Sequence, residues 1–255
     1  PLQAAQWTKQ AEQIKANIQK WLWSPDKRRF TDSYGVEKCS QQTQVYALLY
    51  GLVTDSEKEN IVNAIAAENR KSEQSFSYYV VHSVFDSKPQ WALDFIRQYW
   101  GDQMKSPFFN GAWHEAWDIE HWATDLGTTS HAWCSGPTAL LPEKVLGLEP
   151  VTAGWQTFSV RPNPCDLKWA KGVVSSPFGP IVVEWKVKKD GVFKLYVVVP
   201  ENTKAEIALP GSNPAKVKIN DLPAVSCSGI KSGGIINGRA VFIASPGEYQ
   251  IVLTK

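Results

Sequence analysis

A carboxylate set among indole rings is the part of this chain best equipped for chemistry. Phe108-Phe109-Asn110-Gly111-Ala112-Trp113-His114-Glu115-Ala116-Trp117-Asp118 is followed by Ser130-His131-Ala132-Trp133, which places His131 sixteen residues after Glu115. The segment is too polar for a core helix and too apolar for a solvated loop. Indole faces cover the apolar faces of sugar rings, and a carboxylate can move a proton or hold a water at the bond to be cut. The pattern points to carbohydrate chemistry with Glu115 at its centre. Taken singly the residues have plainer readings: a loop glutamate or helix cap for Glu115, a satisfied buried histidine for His131, a core side chain for Trp133.

Composition narrows the partner. The 255 residues are 43% hydrophobic and 20% charged, a globular composition sufficient for one large or two ordinary domains. Lys and Arg number 27 against 25 Asp and Glu, without blocks, so there is no electrostatic footprint for nucleic acid or an anionic membrane. No apolar run approaches the ~20 residues that span a bilayer. Cys39, Cys134, Cys165 and Cys227 lie far apart with no Cys-x-x-Cys pair, which argues against a zinc site; the count permits two disulfides without requiring any. No metal and no cofactor are expected. Of the 12 Trp, six lie between Trp91 and Trp133, and such crowding beside acids favours a stacking surface over simple core filling.

The elements that must position these residues change period partway along. Up to about Leu148 apolar residues recur at helical spacing. Ala4, Trp7, Ala11, Ile14, Ile18, Trp21 and Leu22 form one stripe, closed by Trp23-Ser24-Pro25-Asp26. A second helix reads from Gln41 to Leu52, ending around Gly51. Thr54-Asp55-Ser56-Glu57 has capping-box spacing and opens a third, over 57–68. Others are expected over 75–86, over 89–104 with Pro89 in the first turn, and over 128–146. Six helices with short connections suggest three helical hairpins.

After Gly147-Leu148-Glu149-Pro150 the period becomes two. Strands are expected over 181–187, 192–199, 205–209, 240–244 and 248–253, an antiparallel β-sandwich. The boundary falls near 149–154, dividing the chain into residues 1–150 and 151–255. Trp155, Trp169 and Trp185 lie in strand or turn contexts where burial explains them.

Gly111-Ala112-Trp113-His114-Glu115-Ala116-Trp117-Asp118, Ser130-His131-Ala132-Trp133-Cys134-Ser135-Gly136-Pro137-Thr138 and Val145-Leu146-Gly147-Leu148-Glu149-Pro150 together resemble the C-terminal part of α-L-rhamnosidases of glycoside hydrolase family 78. The likeness continues through Gly154-Trp155-Gln156-Thr157-Phe158 and Pro177-Phe178-Gly179-Pro180, and its strongest motifs lie within 108–185. It implies half of an (α/α)6 toroid followed by the family's C-terminal β-sandwich. A complete barrel has twelve helices, so the missing N-terminal half or another chain is expected to complete it.

The resemblance implies an inverting hydrolase acting on a rhamnose-containing glycoside or polysaccharide. Such an enzyme needs a general acid on the leaving oxygen and a general base holding water on the opposite ring face. Glu115 matches the base, and His131 matches the histidine that contacts the sugar. Trp113, His114, Trp117 and Trp133 are candidates to line the subsite. Asp118, Glu120 and Asp125 could orient Glu115 or be solvated loop residues; the family's acid lies in a motif before the first residue here. Many members have a Thr-Thr pair and a hydrophobic residue before the base, where this sequence has Trp113 and His114. Two other readings stay open: a barrel-type lyase acting on rhamnose–glucuronate linkages, for which a histidine is a plausible base, and a non-catalytic carbohydrate-binding fragment.

Overall fold

The computed structural model describes residues 2–120 and 127–254, which form two compact units, Pro1–Pro137 and Thr138–Lys255. The first is helical: α1 (Leu2–Leu22), α2 (Gln41–Leu49), α3 (Asp55–Glu68), α4 (Gln74–Phe85) and α5 (Pro89–Lys105). Their core is a cluster of Val45, Ile61, Val62, Ile65, Val80 and Val84. The spacing of Ile61, Val62 and Ile65 puts three branched side chains on one face of α3, each worth roughly 1.5–3 kcal/mol when removed from water. Pro89 opens α5 where its missing N–H costs nothing.

Three local expectations differ from what forms. Trp23-Ser24-Pro25-Asp26 stops α1 and also starts a small hairpin, β1 (Trp23–Ser24) with β2 (Arg29–Phe30), registered Trp23 to Phe30 with their rings 5.0 Å apart. Buried Gln44 clamps that hairpin, accepting from Phe30 N at 3.0 Å and donating to Phe30 O at 2.7 Å. Thr54 is the N-cap of α3, but the capping box does not close. Its hydroxyl pairs with Ser56, and the Glu57 carboxylate reaches Arg28 at 2.9 Å. The helix expected from 128 starts instead as α6 (Gly136–Leu140) and continues as a π-helical turn, Leu141–Leu146. Residues 128–131 are taken up by backbone pairing with the Glu115 segment, so they cannot also enter a helix.

The second unit has two sheets. One contains six strands in the order β10-β9-β13-β7-β6-β5: β5 (Trp169–Ser176), β6 (Gly179–Val187), β7 (Phe193–Val199), β9 (Val217–Ile219), β10 (Leu222–Pro223) and β13 (Gly247–Leu253). The other contains five in the order β11-β12-β8-β4-β3: β3 (Leu148–Pro150), β4 (Thr157–Val160), β8 (Lys204–Ala208), β11 (Ile230–Ile236) and β12 (Arg239–Ala244). Alternation drives this layering, as Ile181, Val183 and Trp185 of β6 are fully buried while their neighbours are not. All pairings are antiparallel except β4 with β8, which run parallel from Thr157 opposite Lys204.

Division of the chain at 137/138, ahead of the change of period at 149–154, has a physical basis. Buried Lys144 pairs with Glu149 at 2.7 Å, and Asn163 donates to Lys144 O at 2.7 Å. Gly147 ends the π-turn at φ 88°, and a Cβ there would strike the Arg161 backbone, so only glycine fits. Trp155 is half-buried and Trp185 wholly buried, whereas Trp169 is 62% exposed, so burial does not explain that residue. All four cysteines are free thiols.

Candidate active site

The connections preceding α2, α4 and α6 are tied together by buried polar groups. Gln41, at the start of α2, donates to Ile65 O at 3.0 Å and Asn69 O at 2.7 Å, at the end of α3. The Ser72 hydroxyl donates to the Gln41 carbonyl at 3.0 Å, and the Trp117 indole N–H donates to Ser72 O at 2.9 Å. Gln74 of α4 and Gln103 of α5, both buried, lie amide to amide at 2.7 and 2.9 Å. Gln103 also donates to Ala116 O at 2.9 Å. The Trp100 indole donates to Cys134 O at 2.8 Å. A buried amide that lacks a partner costs about 1–3 kcal/mol, so this many polar groups persist in a helical core only because each is used.

They hold the Glu115 segment by its backbone. Asn110 makes a side-chain turn to Ala112 N at 3.0 Å and donates to Thr129 O at 3.1 Å, beside Gly111 at φ 91°. Glu115 N donates to Thr128 O at 3.0 Å and His131 N to Trp113 O at 2.7 Å, so 113–115 and 128–131 run side by side. Residues far apart in sequence, Glu115 and His131, are thereby brought to one place. The Cys134 thiol donates to Glu115 O at 3.3 Å. Burial first, then the nearby carboxylates of Glu115 and Glu73, push the Cys134 thiol up to about 11. It therefore remains a neutral donor across the physiological range.

The individual candidates separate by exposure. Glu115 is half-buried, and its carboxylate has no hydrogen bond or ion pair among the described residues. Trp113 is half-buried against Phe109, with ring centroids 5.4 Å apart. Trp117 packs edge-on to Trp100 at 4.9 Å and lies beneath the Arg70 guanidinium at 5.6 Å, so it is partly an anchor and partly a wall. His131 is half-buried, and Trp133 is 62% exposed, which removes the core reading of that indole.

His114 is the correction. Read from the sequence as a sugar contact, it is wholly buried, and neither ring nitrogen finds a partner among the described residues. Burial alternates along the segment, with His114 and Ala116 buried and Trp113, Glu115 and Trp117 half-buried, so the His114 ring lies away from solvent.

Two cavities flank Trp117. One, of about 580 Å³, is lined by Arg70, Lys71, Glu73, Trp117 and Asp118; the other, of about 370 Å³, by Arg70, Tyr99, Asp102, Trp117, Asp118 and Glu120. Asp118 and Glu120 thus face open space beside the indole, while Asp125 lies outside the described residues. Sequence reasoning missed Arg70, Glu73, Gln74 and Gln103. For the two glutamines a signal existed: Gln103 falls three residues after Trp100 on the buried face of α5, where an apolar residue belongs unless the polar group has a task.

Residues 147–221 match the family model of the bacterial alpha-L-rhamnosidase C-terminal domain. The chain is 30% identical over 109 residues to an alpha-L-rhamnosidase of Formosa agariphila, covering 42% of this chain and 12% of that protein. With a second from the same organism it shares 24% identity over 230 residues, covering 85% of this chain and 24% of the other. The crystal structure of Streptomyces avermitilis alpha-L-rhamnosidase complexed with L-rhamnose has the same fold, with a TM-score of 0.79 at 20% identity over 98% of this chain and 24% of that one. The chain spans about a quarter or less of the length of the curated relatives it matches.

Helices followed by two β-sheets are the fold this chain shares, over 98% of its length, with the Streptomyces avermitilis alpha-L-rhamnosidase. In sequence and fold the chain corresponds to the C-terminal part of the α-L-rhamnosidases.

Proposed function

We propose that this chain carries the general base of an inverting α-L-rhamnoside hydrolase, with Glu115 activating water and the general acid supplied by a preceding segment or another chain. The observation that carries the reading is the backbone of 113–117, held by Gln103, Thr128 and Cys134, with a Glu115 carboxylate that makes no ion pair among the described residues. A base must be ionised and unencumbered to accept a proton from water, and a carboxylate tied to a lysine or arginine would be a weaker one. The acid would stand roughly 6.5–9.5 Å away across the sugar, leaving room for the water. His131 and Trp133 would contact the rhamnose, Trp113 and Trp117 would close the wall, and His114 would support the loop from beneath. In this reading residues 1–150 belong to the catalytic barrel and 151–255 to the sandwich.

An incomplete barrel accounts for α1. Its apolar stripe is open to solvent, with Trp7 66%, Ile14 52% and Trp21 52% exposed, an area that further barrel helices would cover. The substrate would be a terminal α-L-rhamnosyl unit of a glycoside or polysaccharide. In the complete enzyme, Glu115→Gln should lower turnover of an aryl α-L-rhamnoside by roughly 10²–10⁴-fold with the thermal midpoint unchanged. Wild-type turnover by that variant would sink the assignment.

A further inference from the structure

The outward face of the six-stranded sheet carries an aromatic and basic patch that neither the core nor the candidate active site uses. Register places Trp169 of β5 opposite Lys186 of β6, Lys186 opposite Lys194 of β7, Lys194 opposite Val252 of β13, and Val252 opposite Lys218 of β9. Paired residues of antiparallel strands share a face, so these five side chains form one row. At about 4.8 Å per strand the row is roughly 19 Å long. The adjacent row is Lys171, Glu184, Tyr196 and Gln250, rich in hydrogen-bonding groups.

Trp169 is 62% exposed, although Trp185 on the opposite face of the same sheet is fully buried. Solvent-facing lysines on and near an edge strand have a general use in discouraging sheet-to-sheet association. An open indole does the reverse, so that use does not account for the pair together. Glu184 lies 3.0 Å from Lys186 and 3.6 Å from Lys171, and these lysines hold its carboxyl below the ordinary range despite the small opposing effect of desolvation. Tyr196 donates to Glu248 at 2.8 Å. Four lysines, Lys171, Lys186, Lys194 and Lys218, thus share the face with only two carboxylates, Glu184 and Glu248.

We infer that this face binds an anionic polysaccharide bearing carboxylate groups, with a sugar ring stacked on Trp169 and its charged neighbours along the lysine row. The face is flat and long, which suits an extended polymer over a small molecule. The two carboxylates within it can accept the hydroxyls that a polysaccharide presents along its length. A single aromatic at one end gives no stack for the successive bases of a nucleic acid. The inference is independent of the chemistry at Glu115, because its readout is binding without turnover.

The test is affinity electrophoresis of the full chain in gels containing polygalacturonate, neutral dextran or a single-stranded oligonucleotide. Retardation by polygalacturonate alone is expected. Trp169→Ala should weaken it roughly tenfold, and Lys186→Glu with Lys194→Glu should abolish it. Because these side chains are exposed, the variants should unfold at the wild-type temperature. Absence of retardation, equal retardation by the oligonucleotide or by dextran, or variants retarded like the wild type would each overturn the inference.

Discussion

The helical unit and the sandwich bury polar groups for different ends. In the sandwich unit, Lys144 is satisfied by Glu149 and Thr203 by Pro200 O, while Asn163 ties Lys144 O to the Arg239 guanidinium. They close turns and joints. In the helical unit, Gln41, Ser72, Gln74 and Gln103 reach across helices, and two of them meet the Glu115 segment directly: Gln103 donates to Ala116 O and Ser72 O accepts from the Trp117 indole. Replacing a whole network by apolar side chains can be nearly neutral, since a hydrogen bond nets only about 0.5–1.5 kcal/mol after water is counted, whereas removing one member strands its partners. The contrast therefore separates polar burial that maintains a fold from polar burial that aims a side chain.

Substitutions in the two units separate these roles. The largest effect on stability is expected at Gly147, where a left-handed backbone and the Arg161 backbone leave no room for a side chain. Gly147→Ala should cost more than about 3 kcal/mol in chemical denaturation of the chain, within the range of severe backbone and overpacking defects. Gln103→Leu strands the Ala116 carbonyl and the Gln74 amide, and should cost roughly 1–3 kcal/mol. If Glu115 is the base proposed above, the variant in the complete enzyme should also lower turnover more than it raises KM, because Glu115 is displaced. Lys144→Met removes the partner of Glu149, itself partly exposed, and should cost about 1–2 kcal/mol while leaving turnover of the folded enzyme as it was. If Gln103→Leu and Lys144→Met affect activity alike, the distinction between the two units fails.

Two smaller effects complete the series. The folded Cys134 thiol titrates at about 11, above its ordinary 9.0, so the folded state keeps a proton that the unfolded chain gives up first. Its contribution is fully present below pH 9 and is lost as pH rises toward 11. Cys134→Ser should flatten the fall in stability over that window, read by denaturant titration at each pH. Trp133→Ala, at an exposed indole, should change stability by less than about 0.5 kcal/mol, yet raise KM for an aryl α-L-rhamnoside.

Much of the architecture was legible from periodicity. The turn from helical spacing to alternation after Leu148 marks helices giving way to sheets, and strands β6, β7 and β13 lie where alternation puts them. What periodicity could not show was pairing at long range. The segment 128–131 has helix-compatible residues, but backbone bonds to 113 and 115 hold it extended. Thr54 and Glu57 have capping-box spacing, but Arg28 competes for the carboxylate. At the candidate site the sequence carried Glu115, His131 and the indoles. It could not tell that His114 turns inward, because that depends on how the segment is held by its long-range backbone bonds to Thr128 and His131. Trp169 had the complementary ambiguity, since alternation gives two faces and only the packed sheets decide which is open.

The central claim, that Glu115 holds the attacking water, is tested most directly by chemical replacement of that water. Glu115→Ala in the complete enzyme should release almost no aglycone from an activated aryl α-L-rhamnoside. Azide, which attacks C1 without giving up a proton, should restore release and yield the β-configured rhamnosyl azide. Wild-type release without azide, or an azide product that keeps the α configuration, would contradict the account.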